Sequence, residues 1–230
     1  MELVYDIFCD ASVAPGLRGA CAGCTINSRY SNNVSELESF FVIQPEGTNN
    51  SGELEALLLG IYRALDIRER NAIAGIPVRI NIFSDSMISV KGIREWIFNW
   101  TYTDRVLYKR DGSVVMNQNY IKLIYNLIVL NRLKINIYHQ KGHVGTAYDK
   151  AAKTFHTSNG IFCNTIGVTP QYISAYNDKI DRLTRDTLRQ YPSTEAGAYI
   201  QVSELYLRDD GFIEAYNNFR DIELYKQLIQ

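Results

Sequence analysis

Apolar and polar residues alternate from Leu3 to Cys9, which predicts a strand. Turn residues fill Val13–Gly19. Ala20–Asn27 and Leu37–Gln44 then read as two more strands, joined by a polar turn at 31–33. Connections this short predict antiparallel pairing. Glu46–Gly52 reads as a loop with helix-start chemistry. Beyond it Leu54, Leu57, Leu58, Ile61 and Leu65 recur at helical spacing and predict a helix over 53–70. Pro77–Phe83 is a short apolar run of the kind found in buried parallel strands. Ser86–Trp100 reads as a helix with Ile88, Ile93, Trp96 and Ile97 on its apolar face. Tyr102–Val115 is polar and basic and reads as a loop. Asn119–Leu130 follows as a helix, Ile135–His139 as a strand, and Ala147–Phe155 as the start of another helix.

The order is three strands, a helix, a strand, two helices, a strand and a helix. It predicts the α/β class, with a five-stranded mixed sheet flanked by helices. After residue 157 the pattern changes. Ser158–Thr169 looks irregular. Ile173, Tyr176, Ile180, Leu183 and Leu188 then repeat at helical spacing, as do Phe212, Ile213, Tyr216, Phe219 and Leu224. The expected organisation is a catalytic-type domain over 1–157 and a helical extension over 158–230. Its apolar stripes are expected to pack on the same chain in preference to a protein partner or a second copy. No catalytic phrase stands out in it.

Composition adds modest limits. The chain has 230 residues, 46% of them hydrophobic, enough for a substantial core. No apolar run reaches membrane-span length; the best stretch, Ile121–Leu130, is interrupted by Lys122 and Asn126. Met1 leads directly into a strand-like run, so no signal peptide is expected. Cys21 and Cys24 form a CxxC, but no second pair completes a zinc site, and the cysteines are expected to be reduced in a cytoplasmic protein. Net charge is only −1, yet it is unevenly spread. Residues 1–60 carry 2 basic and 8 acidic residues, whereas residues 61–160 carry 15 basic and 7 acidic. That segregation suits a metal site at one place and phosphate contacts at another.

Four acids stand in short phrases: Asp10 in YDIFCDAS, Glu53 in TNNSGELEA, Asp85 in FSDSMISV and Asp149 in YDKAAKTF, with His143 of QKGH just ahead of the last. A lone Asp at a strand end is usually a cap. Asp10 and Asp85 are expected at the ends of parallel neighbours, which deliver their carboxyl ends to one edge. Clustered carboxylates of this kind suit Mg²⁺.

The order and content of these phrases resemble type 1 ribonuclease H over about residues 1–156. The resemblance implies the ribonuclease H-like fold and hydrolysis of the RNA strand of RNA–DNA hybrids. It also implies two Mg²⁺ ions, with Mn²⁺ as a substitute, held by Asp10, Glu53, Asp85 and Asp149. Asp10 is expected to bridge the ions, and His143 to serve as an outer group aiding proton movement or product release. His139 and His156 read as structural. Thr48, Asn49 and Asn50 resemble the family's loop at the RNA 2′-hydroxyls, although a helix-capping turn needs the same residue types. FSDSMISVKGIREWIFNW carries Trp96 and Trp100, which the resemblance sets beside the DNA strand. Four-residue spacing puts both on one helix face, so they also suit a core. Arg105, Lys109 and Arg110 fall where relatives carry a basic protrusion, and Asn117 completes the implied substrate contacts.

Three departures matter. Ala11 replaces the usual glycine after the first aspartate. Ser51 stands where many bacterial members have arginine. The stretch from His143 to Asp149 is shorter than usual. The competing expectations are another nuclease or strand-transfer enzyme of the same fold, and a non-catalytic nucleic-acid or protein-binding module.

Overall fold

The computed structural model describes residues 2–13, 19–31, 33–142, 166–190 and 221–230. Strands β1 (Leu3–Val13), β2 (Ala20–Tyr30) and β3 (Asn33–Gln44) form an antiparallel meander. Helix α1 (Asn49–Ile73) leads to β4 (Val78–Ser84), which pairs parallel to β1. Helix α2 (Met87–Arg94), a 3₁₀ turn at Trp96–Asn99, and the hairpin β5 (Thr101–Thr103) and β6 (Val106–Tyr108) come next. Helix α3 (Gln118–Leu130) precedes β7 (Asn136–His139), which pairs parallel to β4. Helices α4 (Pro170–Gln190) and α5 (Ile222–Leu228) belong to the C-terminal region. The main sheet runs β3-β2-β1-β4-β7, the five-stranded mixed sheet expected from the pattern.

The two faces of β1 serve two layers. Ile7 and Cys9 point into the larger core with Leu57, Leu58 and Ile61 of α1. Fully burying each such aliphatic side chain stabilises by about 1.5–3 kcal/mol. Phe8 points the other way, stacks on Phe83 at 4.9 Å and meets Ile173 and Ile180 of α4. Helix α4 buries Ile173, Asn177, Ile180, Thr184 and Leu188, one stripe at helical spacing. A buried polar network joins the same two layers. Asp6 is ion-paired with Arg29 and accepts from Asn81 at 2.8 Å and from the Tyr172 hydroxyl at 3.0 Å. Arg29 also donates to the carbonyls of Ile166 and Gly167. Helix α5 seats Tyr225 against Tyr125 of α3, and the Tyr225 hydroxyl donates to Ile93 O at 2.8 Å. The described parts of the C-terminal region thus pack on their own chain.

Several expected boundaries move. β2 and β3 are longer than predicted, and α1 starts at Asn49. Thr48 caps that helix: its side chain accepts from Ser51 N, and Ser51 Oγ accepts from Thr48 N. The predicted helix over Ser86–Trp100 breaks at Glu95, whose φ of −126° is not helical. The following Trp96-Ile97-Phe98 run loses side-chain freedom in a helix, which favours the break. The basic stretch after Trp100 is a hairpin, not a loop; Asp104 (φ 50°) and Arg105 (φ 67°) form its tip. The two positive φ angles suit the right-handed strand twist. The helix expected over Ala147–Phe155 lies outside the described residues, as does most of the stripe at 212–224. Cys9, Cys21 and Cys24 are free and buried, so the CxxC belongs to the core.

Candidate active site

Parallel pairing of β1 with β4 ends at Cys9 opposite Ser84, so Asp10 and Asp85 emerge side by side at one edge. Contrary to expectation, Asp10 does not end its strand: β1 runs on to Val13 in pairing with β2, and Asp10 is where it leaves its β4 partner. Glu53 comes from the second turn of α1, not the first, because the Thr48 cap starts the helix four residues earlier than the leucine spacing implied. Ligand oxygens of Asp10, Glu53 and Asp85 all lie within 4.8 Å of one another.

The surroundings hold Asp85 in place. The Ser84 carbonyl accepts from Gln140 N at 2.9 Å, and the Ser84 hydroxyl accepts from Ser86 N at 3.1 Å. The ring of His139 lies 3.2 Å from Asp85 O, the structural part expected of that histidine. Gly142 is seated so closely that an added Cβ would overlap Oδ2 of Asp85. On β1 the backbone N–H of Ala11 donates to Asp10 Oδ1 at 2.8 Å.

Asp10 and Glu53 are 4% and 5% exposed. Burial, then the Asp85 charge, pushes the Asp10 carboxyl far above its usual range. Burial, then the charges of Asp10 and Asp85, does the same to Glu53. Glu53 Oε2 is buried without a hydrogen bond to any described residue. Three converging oxygens, like-charge strain and one orphaned acceptor fit a hard divalent cation, which relieves all three.

The expected substrate residues divide into groups. Asn50, Trp96, Trp100, Lys109 and Asn117 line one groove with Leu54 and Ile121. Asn49 lines the acidic cavity instead, one residue from the groove. Thr48 is taken up by helix capping. Trp96 lies in the 3₁₀ turn and Trp100 in extended backbone, so they reach the groove from different local structures and do not share a helix face. Arg105 sits exposed at the hairpin tip, and exposed Arg110 donates to Asn99 at 2.7 Å. His143 and Asp149 lie outside the described residues. One acid escaped sequence reading: Asp181 of α4 lines the same cavity as Asp10, Glu53 and Asp85.

Acids at the carboxyl ends of central parallel strands, beside a groove with basic and aromatic residues, define a metal-dependent hydrolase on a ribonuclease H-like fold. A family model described as RNase H matches residues 3–157. The chain belongs to the RNase H family, whose enzymes cut the RNA strand of RNA–DNA hybrids. A ribonuclease H of Syntrophotalea carbinolica is 27% identical over 147 residues, which is 64% of this chain and 82% of the relative. Among solved structures, LC9-RNase H1, a type 1 RNase H with the type 2 active-site motif, aligns at 16% identity and a TM-score of 0.49. It covers 100% of this chain and 88% of that one. RNase H1 of the halophilic archaeon Halobacterium salinarum NRC-1 aligns at 16% identity and a TM-score of 0.41, over 66% of this chain and 93% of that one. Among the described residues no helix is long and apolar enough to cross a membrane.

Proposed function

We propose that this chain hydrolyses the RNA strand of RNA–DNA hybrids at Asp10, Glu53 and Asp85 with two Mg²⁺ ions, leaving a 5′-phosphate and a 3′-hydroxyl. The convergence of those three carboxylates within 4.8 Å, beside the groove that holds Trp96 and Trp100, carries the reading. Divalent ions bound there supply a nucleophilic water at neutral pH and neutralise charge at the leaving oxygen. The chain does the rest. Asp10 interacts with both Glu53 and Asp85 and is the residue to bridge two cations. The Ala11 N–H fixes its orientation. Asn49 and Asn50, on the exposed first turn of α1, offer amides that both donate to and accept from a 2′-hydroxyl. Trp96 and Trp100 offer flat faces to the DNA strand, and Lys109 a phosphate contact. Arg105, Arg110 and Asn117 extend that contact. Asp149 as fourth ligand and His143 as the outer proton-handling group follow from the family resemblance.

A packed C-terminal region favours a monomer over self-association, because the described faces of α4 and α5 lie against the sheet and α3. Among the described residues Cys9, Cys21 and Cys24 are free and buried, which supports a cytoplasmic location.

The test is cleavage of labelled RNA–DNA hybrid beside RNA–RNA and DNA–DNA duplexes, with Mg²⁺, with Mn²⁺ and with chelator. Hybrid alone should be cut, with either ion, and Asp10→Asn should remove the activity. His143→Ala should slow turnover more than it weakens binding. Intact hybrid in the presence of both metals overturns the reading.

A further inference from the structure

Helix α4 carries Asp181 to the rim of the acidic cavity. Its placement is built by the fold. Gly23 of β2 stands opposite Asp10, and a Cβ there would come within 2.7 Å of Thr184 Cγ2, so the bare backbone of β2 is what lets α4 lie this close. The hydroxyls of Ser12 and Thr184 pair at 2.8 Å and pin the helix beside Asp10. Arg185, one turn on, is ion-paired with Asp181, whose side chain is 19% exposed. The Asp181 charge is felt at Asp10, where it adds to burial and Asp85 in raising the carboxyl. The same cavity holds the orphaned, buried Glu53 Oε2, an acceptor in want of a cation.

We propose that Asp181 is a positioning residue of the site, a carboxylate delivered by α4 that strengthens divalent-ion binding at Asp10, Glu53 and Asp85. It is distinct from Asp149, the acid that the family resemblance supplies. The inference rests on the nuclease reading and deepens it: a loaded site depends on docking of the C-terminal helix. The physical reason is short-range attraction. One further negative charge at the mouth of a partly desolvated cavity favours a doubly charged ion, and the ion pair with Arg185 offsets part of that charge.

The test is calorimetric titration of the full chain with Mn²⁺, and separately with Ca²⁺, in the absence of nucleic acid. Asp181→Asn should weaken ion binding about 10-fold. Asp178→Asn, exposed on the same helix, should leave it unchanged. Arg185→Gln breaks the same ion pair but keeps the carboxylate, and should bind ions at least as tightly as the parent. Unchanged affinity in Asp181→Asn overturns the proposal. Equal weakening in Asp181→Asn and Arg185→Gln also overturns it, because the ion pair would then matter only for the fold. If the variants show the expected affinity pattern but the wild-type chain leaves hybrids uncut, the nuclease reading sinks and Asp181 is left standing.

Discussion

The Tyr172 hydroxyl donates to the buried Asp6 carboxylate at 3.0 Å, across the seam between α4 and the sheet. Asp6 is wholly buried, so each partner it keeps offsets a large desolvation cost. Tyr172→Phe should lower stability by about 1–3 kcal/mol, the usual loss when a buried charged acceptor is left short of a donor. Arg29→Met should cost about 3–5 kcal/mol, because it strands the charge itself. Denaturant unfolding of the full chain measures both. Equal effects would mean that the network is not centred on Asp6.

The raised carboxyls of Asp10 and Glu53 tie metal-free stability to pH. Their folded pKa values lie above the ordinary carboxylate range, near 4. The folded state therefore holds more protons than the unfolded one, and this stability is present below that range and lost as pH rises through the raised values. In chelator, the melting temperature should fall between pH 5 and pH 8. Asp10→Asn should flatten that fall and raise stability at pH 8 by on the order of 1–3 kcal/mol. Mg²⁺ should restore the wild type at pH 8 and do little for the variant. Parallel pH profiles for the two proteins would count against like-charge strain at the site.

Gly142 offers a steric test of Asp85. A methyl group there would occupy the space of the carboxylate. Gly142→Ala should reduce divalent-ion affinity and hybrid cleavage by about 10–100-fold, the usual scale for disturbing the support of a metal ligand. Gly142 lies at a half-buried rim, so melting should change little. Full activity in the variant would show that Asp85 swings aside without loss.

Arg105 adopts a φ of 67° where a glycine would be unstrained. Arg105→Gly should stabilise the hairpin tip by about 1 kcal/mol while removing one of the positive charges proposed to meet phosphate. Replacing Arg105, Lys109 and Arg110 together with alanine should flatten the slope of log affinity against log salt, by roughly 0.9 for each phosphate that is no longer neutralised. Preference for hybrid should persist, since the amides of Asn49 and Asn50 remain. An unchanged slope would place the grip elsewhere.

Much of the site is legible in the sequence. Asp10, Glu53 and Asp85 stand out because each sits in a specific phrase beside an apolar run, and the strand pattern requires parallel neighbours. The hairpin is hidden because Asp104-Arg105 lacks the Asn-Gly or Asp-Gly signal of such turns. The start of α1 is hidden because the cap lies ahead of the first leucine. Asp181 is hidden for a different reason. Helical periodicity reports which residues face a core, and Asp181 stands beside that stripe, next to Ile180; only the docking of α4 on β1 reveals its neighbours.

That docking also works as a ruler. Along β1, Asp6, Phe8 and Ser12 meet Tyr172, Tyr176 and Thr184 of α4 in the same order. Two strand residues advance about 6.6 Å, and four helical residues about 6 Å, so strand and helix stay in step like two scales of a vernier. Any length change between Tyr172 and Asp181 must break that commensurability. One inserted residue turns the rest of the helix by about 100° and carries Asp181 off the cavity. Four inserted residues restore the face but slide it one notch along the strand. The spacing from Tyr172 to Thr184 is thereby a constraint on length as well as on residue type.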